Sequence, residues 1–403
     1  MNDIVTKSAV EQLPKQVYYI AFATFANALG TFLVPFLPLY LEHLETASAN
    51  IGAAVSCYGA GCLIACLAGG GLSDRVGRKP VIFLNLALSA AFTCLIAFIH
   101  NYLAVLVLVF FIGVCAGMSR PATNALIGDI ISENTATKAY GILYWAGNLG
   151  FVASSVIGGA VAMRSFTALF MIDAGTCLCA LAVLVFGLSG RSKQHTSVVK
   201  RPKVCPKGSA NVPTLATIIS VALLCWVIQT QAWAALPLTI VSRGMSSLDW
   251  GFISAANGLT IIVAQPIVNR IIEASGARNS LAAGCVIIGI GFSTTPLWCD
   301  LLGFLVQTAT WSIGEAFVAT TSPALIAMHS DAASRGRWMG YSAAAFSLAS
   351  IVGPGVGGWC IENDVDEALW LTCAILGCLA ALLAMRGIRV STGGPNTEVR
   401  DVG

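Results

Sequence analysis

Apolar runs of about 20 residues recur along the whole chain, separated by short polar stretches. Lipid offers the backbone no hydrogen-bond partner, so runs of that length cross a bilayer as helices. Twelve spanning helices are predicted, at about 17–40, 50–70, 81–99, 103–128, 140–162, 166–188, 215–240, 250–268, 281–298, 301–327, 339–360 and 368–387. Residues 70–80 read Gly-Gly-Leu-Ser-Asp-Arg-Val-Gly-Arg-Lys-Pro, a short basic hinge. Two apolar runs joined that tightly are expected to form an antiparallel pair.

The pattern then repeats. At an offset of 199 residues Pro38 meets Pro237, Gly52 meets Gly251, Gly59 meets Gly258, and Gly77 meets Gly276. Gly158 and Gly159 meet Gly357 and Gly358 in the same register. Charges follow: Asp74 meets Glu273 and Lys79 meets Arg278. The fourth and tenth runs both end in Pro-Ala-x-x-Ala-x-x-x-Asp, from Pro121 to Asp129 and from Pro323 to Asp331. Each half carries six predicted helices, so the repeat preserves topology. The expected fold is an all-α integral membrane protein with twelve transmembrane helices in two pseudo-symmetric six-helix lobes. The expected division is a first lobe at 1–188, a linker at 189–213 and a second lobe with its tail at 214–403.

Composition agrees: 57% of the 403 residues are hydrophobic and 10% are charged, against about 25% charged in soluble domains. Of the 22 lysines and arginines, 19 fall on one side of the predicted membrane. Arg164 and Arg243 fall on the other, and Arg120 lies within a run. The positive-inside rule then puts both termini on the cytoplasmic side; the expected location is a bacterial inner (plasma) membrane. The first run is too long for a signal-peptide core and is expected to remain as a helix. The 14 cysteines are scattered singly and read as small apolar packing residues, with no metal spacing. His43, His100, His195 and His329 fall in loops or at helix ends. No P-loop pattern occurs. Neither an enzyme nor direct use of ATP is expected.

Residues 70–79, Gly-x-Leu-x-Asp-Arg-x-Gly-Arg-Lys, resemble the loop 2–3 signature of the major facilitator superfamily. Within it the chain resembles the drug:proton antiporter branch. The fifth run, with Tyr144-Trp145-Ala146-Gly147-Asn148-Leu149-Gly150, is similar to that branch's fifth helix, and Gly314-Glu315 is similar to the tenth helix of several exporters. Two positions depart from the pattern. Ser154-Ser155 stand where Gly-Pro is expected before Gly158-Gly159, while Gly353-Pro354-x-x-Gly357-Gly358 occurs intact in the eleventh run. Val109, four residues before Gly113, stands where an Arg is expected. The resemblance implies a monomer in the lipid bilayer that exchanges a small molecule for protons by alternating access. It implies no cofactor and no nucleic acid. It also implies a conformational latch of Gly70, Asp74, Arg75, Gly77, Arg78 and Lys79, in which Asp74 faces a helix N-terminus and Arg75 pairs with Asp129.

Ionisable side chains inside a membrane are costly and mark function. Three fall in the runs: Arg120, Asp173 and Glu315. Glu315 is the expected proton carrier. Asp173 is the second candidate, set against a purely structural hydrogen bond. Arg120 either holds an anionic substrate, compensates Glu315, or snorkels along its stem to the interface. Gln307, Trp311 and Glu315 recur every fourth residue, as a single helix face would. Trp226, Gln229 and Trp233, three and then four residues apart, are presented similarly on the seventh run. Aromatic faces beside one carboxylate suit a lipophilic cation; helix packing accounts for Trp226 and Trp233 equally well. The predicted substrate site is Arg120, Gln229, Trp233, Gln307, Trp311 and Glu315. The predicted activity is proton-driven export of small amphipathic or cationic compounds, the alternative being export or proton symport of a metabolite or sugar.

Overall fold

The computed structural model describes residues 13–131, 133–188, 211–331 and 334–388. Side chains at 67–75, 120, 133–134 and 136–137 lie outside that description, as does the expected linker up to residue 210. Every described segment of regular structure is helical. The helices of the first half are α1 (Lys15–Leu29), α2 (Leu33–His43), α3 (Ser48–Val76), α4 (Arg78–Ile96), α5 (Tyr102–Gly128), α6 (Glu133–Ala162) and α7 (Phe166–Gly187). Those of the second are α8 (Val212–Gln229), α9 (Ala235–Ser242), α10 (Ser247–Ser275), α11 (Ala277–Ser293), α12 (Leu301–His329), α13 (Arg335–Glu362) and α14 (Asp366–Gly387). They make twelve spans long and apolar enough to cross a membrane, α1 with α2 forming the first and α8 with α9 the seventh. The two halves pack alike. α3 lies on α5 as α10 lies on α12, and α4 lies on α7 as α11 lies on α14.

Two expectations are corrected. The first and seventh runs were expected as continuous helices and both are broken. Gly30 to Phe32 separates α1 from α2, and a 3-10 turn, Thr230–Trp233, separates α8 from α9. The breaks stand at the offset of 199, since Thr31 corresponds to Thr230 and Phe32 to Gln231. Pro35, Pro38 and Pro237 just beyond them lack the N–H that an unbroken helix would use. Second, residues 70–76 form no hinge. They complete α3, and the reversal into α4 takes a single residue, Gly77, with φ 98°. Gly276 reverses the chain between α10 and α11 at φ 81°. A side chain at either position would strain the backbone.

The lobes meet along two related crossings, α3 against α13 and α6 against α10. The repeated glycines lie in them. A Cβ on Gly52 would sit 3.0 Å from Cα of Gly358, and one on Gly251 would sit 3.1 Å from Cα of Gly159. Adding 199 to positions 52 and 159 gives 251 and 358, so the two contacts are copies of each other. Small residues at these positions let the backbones touch, which is how helices associate closely in lipid. The Ser154-Ser155 pair lies in one crossing and Gly353-Pro354 in the other. Ser155 Oγ donates to Ser254 Oγ at 3.2 Å, and Ser56 Oγ donates to the carbonyl of Ile351 at 2.6 Å. Trp250 Nε1 donates to the carbonyl of Pro35 at 2.8 Å, again between lobes. At the rim, the Ser48 backbone N–H donates to Glu362 Oε2 at 2.7 Å. These contacts all lie toward the end of the bundle remote from Lys15 and Gly387. The lobes are therefore sealed on the side away from the termini.

Candidate functional site

The second lobe places a carboxylate at the seam. Glu315, half-buried midway along α12, accepts from Asn257 Nδ2 of α10 at 2.9 Å through Oε2. Its Oε1 faces Gln229 Nε2 of α8 at 3.4 Å. Asn257 also donates to Ser312 Oγ at 2.9 Å. Tyr144 of α6, in the opposite lobe, lies within electrostatic reach of Glu315. Gln229 is 7% exposed, and its Oε1 has no protein partner among the described residues. An amide can therefore serve both states of the carboxyl group. Its NH2 donates to the ionised form, and after a half-turn its oxygen accepts from the protonated one.

Of the predicted site residues, Gln229 and Glu315 come together. Trp233 stands on the same stretch as Gln229, edge-on to Tyr58 of the other lobe, with ring centroids 6.4 Å apart. Gln307 and Trp311 do not join them. Gln307 is buried and donates to Thr295 Oγ1 at 2.5 Å. Trp311 is 4% exposed, stacks on Phe292 at 5.1 Å, and belongs to the second lobe's core. The reason is helical drift. At 3.6 residues per turn, each four-residue step turns the face by about 40°, so two steps separate Gln307 from Glu315 by about 80°. The side chain of Arg120 lies outside the described residues.

Asp173 sits elsewhere. It is 5% exposed on α7 and accepts the Phe32 N–H at 3.3 Å through Oδ2. That N–H is one that the break between α1 and α2 leaves without a helical partner. Cys177 Sγ approaches Oδ1 at 3.8 Å. Asp173 thus satisfies the kink of its own lobe, and none of its described hydrogen-bond partners belongs to Glu315's network.

Of the expected latch, the side chains of Asp74 and Arg75 lie outside the described residues, and Gly70 lies within α3. The described ion-pair partner of Asp129 is Arg78, which also donates to the carbonyl of Ala125. Lys79 Nζ donates to the carbonyl of Leu188 at 2.9 Å. Both cations thus meet the C-terminal ends of α5 and α7, where the helix dipole favours positive charge. These contacts stay within the first lobe.

Sequence reasoning missed Asn257, Tyr58 and Phe346, and quoted Tyr144 only as part of the fifth-run motif. Asn257 had a signal, being an amide inside an apolar run. Tyr58 and Phe346 had none, because aromatic residues in spans are ordinary and only the packing shows which of them meet at the seam.

The comparisons agree with this architecture. The sequence model described as Major Facilitator Superfamily matches residues 20–228 and 215–401. The MFS-type transporter YttB of Bacillus subtilis is 26% identical over 372 residues, covering 90% of this chain and 93% of that protein. The quinolone resistance protein NorA of Staphylococcus aureus is 32% identical over 149 residues, 37% of this chain and 38% of that protein. A crystal structure of a peptide transporter POT in complex with sulfate superposes with a TM-score of 0.79 at 17% identity, covering 93% of this chain and 95% of that one. That likeness concerns fold. With twelve apolar spans, a repeat carried into two matching crossings and a family match over both halves, the chain is a multi-pass membrane protein belonging to the Major Facilitator Superfamily.

Proposed function

We propose that the protein exports small amphipathic or cationic compounds in exchange for protons, by alternating access between its lobes. The observation that carries this reading is the Glu315 network. A single carboxylate is held between two amide side chains at the seam, with no described cation paired to it. Such a group can trade a proton for a cation at one place. When a cationic substrate binds, the carboxylate loses its proton; when a proton returns, the substrate loses its counter-charge. The Gln229 amide accommodates both forms, so neither is left with an orphaned partner. The same competition couples the two ligands reciprocally.

The seal at the crossings fits one end state of such a cycle. With both termini in the cytoplasm, as the charge distribution favours, this end state is closed to the outside. The expected latch of Asp74, Arg75 and their neighbours would act at the opposite, cytoplasmic end. NorA, whose printed name is quinolone resistance protein, supports the export reading over the stretch it shares with this chain.

The test is accumulation of a fluorescent lipophilic cation in cells lacking their own pumps. Expression of the protein is expected to lower accumulation, a protonophore to restore it, and Glu315→Gln to abolish the effect. Lowered accumulation that survives the protonophore would contradict proton coupling.

A further inference from the structure

We infer that four aromatic side chains at the seam form a stacking surface for the flat ring system of the substrate, and that Tyr58 is the first lobe's part of it. The inference rests on the exporter reading and narrows its substrate to monovalent cations carrying a planar aromatic body. Tyr58 of α3 meets Trp233 edge-to-face at 6.4 Å and 76°. Trp233 meets Phe346 of α13 at 5.9 Å and 75°, and Phe346 meets Trp226 of α8 at 5.2 Å and 88°. The four rings make one continuous chain from lobe to lobe.

Three further observations give the chain a ligand-facing role. All four rings are half-buried although they lie near the middle of their spans, so each keeps surface that protein does not cover. They border the tight crossing: Tyr58 adjoins Gly59, where an added Cβ would meet the backbone of Ser350, and Phe346 is one turn from Ser350. Finally, Trp226 lies three residues before Gln229 on α8, one turn away on the same side, and the Gln229 amide faces Glu315. Trp233 follows the 3-10 turn and is joined to Trp226 through their shared contact with Phe346.

Edge-to-face contacts leave ring faces free, and a free face stacks on a flat π-system or a delocalised cation. One carboxylate balances one positive charge. A planar monocation would therefore lie on the rings with its charge toward Glu315, touching both lobes at once. The Tyr58–Trp233 contact would part when the crossing opens, so a substrate seated there senses the state of the seal.

The experiment measures equilibrium binding to the purified full-length protein in lipid nanodiscs. The probes are ethidium, which is flat and aromatic, and tetrapentylammonium, which has the same charge shielded by alkyl chains. Tyr58→Leu and Phe346→Leu are expected to weaken ethidium about tenfold and tetrapentylammonium less than about twofold, while Tyr58→Phe matches wild type. Equal weakening of both probes, or none, in Tyr58→Leu overturns the inference, with Tyr58→Phe confirming an intact fold. Glu315→Gln run alongside separates the two readings. It is expected to weaken both probes. If it weakens neither, the cation-exporter reading falls and takes this inference with it.

Discussion

The chain holds two carboxylates inside its membrane spans that the structure treats in opposite ways. Asp173 in the first lobe is tied to the backbone, accepting the N–H of Phe32 where α1 breaks into α2. Glu315 in the second lobe is tied only to side chains, the amides of Asn257 and Gln229. A backbone N–H can only donate, so it favours the ionised Asp173, and a protonated Asp173 would still accept it through one oxygen. Amides donate or accept as they turn, so Glu315 can change protonation without stranding a partner. Both carboxylates lie inside spans; the amide partners are what favour Glu315 for the proposed coupling role.

The largest effect should come from Glu315→Gln. It keeps the shape and one acceptor oxygen but fixes the charge at zero. Uphill cation efflux in proteoliposomes with an imposed proton gradient should fall to background, while exchange of neutral substrate down its own gradient persists. Residual uphill efflux above about a tenth of wild type would return the coupling role to other groups.

Gly52→Leu tests the crossings. A side chain there meets Gly358 backbone, and packed interfaces do not absorb such volume. The seal should be held open, and transport should drop by about tenfold or more. Thiols introduced on opposite lobes near Ser48 and Glu362 should lose the cross-linking they show in an otherwise unaltered protein. Gly251→Leu, its copy in the other crossing, should behave alike, and unequal outcomes would break the symmetry argument.

Asp173 separates structure from coupling. Asp173→Ala leaves the Phe32 N–H with only its contact to the Gly30 carbonyl at 2.7 Å and should lower stability by about 1 kcal/mol. Asp173→Asn keeps an acceptor oxygen and should retain both stability and proton-driven transport. Thermal melts and flux read together decide it: a stable but uncoupled Asp173→Asn would make the two carboxylates functionally equal.

The smallest effect belongs to the rim. Glu362 caps the N-terminus of α3 from the opposite lobe. Glu362→Gln keeps the hydrogen bond but removes its charge, so the closed rim should be destabilised by about 0.5–1 kcal/mol. Distance measurements between spin labels on the two lobes should show a two- to fivefold shift toward the state open on that side.

Much of the fold was legible because lipid makes hydrophobic run length decisive and leaves few alternatives. The 199-residue repeat gave the two lobes and held the glycines at 52 and 251 in register; that they mark two crossings, where backbones touch, is seen only in the packing. The breaks in the first and seventh spans were hidden, because hydropathy continues straight through Gly30 and Thr230; Pro35, Pro38 and Pro237 were the available signs. The site was legible in part. Glu315 stood out as a carboxylate in an apolar run, and Gln229 as an amide in another. Gln307 and Trp311 were drawn in by a four-residue spacing that drifts around a 3.6-residue helix. Asn257 and Tyr58 come to the site only through tertiary packing of α10 and α3, which one chain's pattern does not encode.

Proton and cation are proposed to compete for Glu315. The direct measurement is proton release, followed with a pH-sensitive dye in weakly buffered solution, as ethidium is added to the purified protein. Wild type should release protons in proportion to cation bound. Its ethidium affinity should fall as pH is lowered, because protons then occupy the carboxylate. Glu315→Gln should release none and bind with an affinity that does not vary with pH. Proton release of wild-type size from Glu315→Gln would contradict the account.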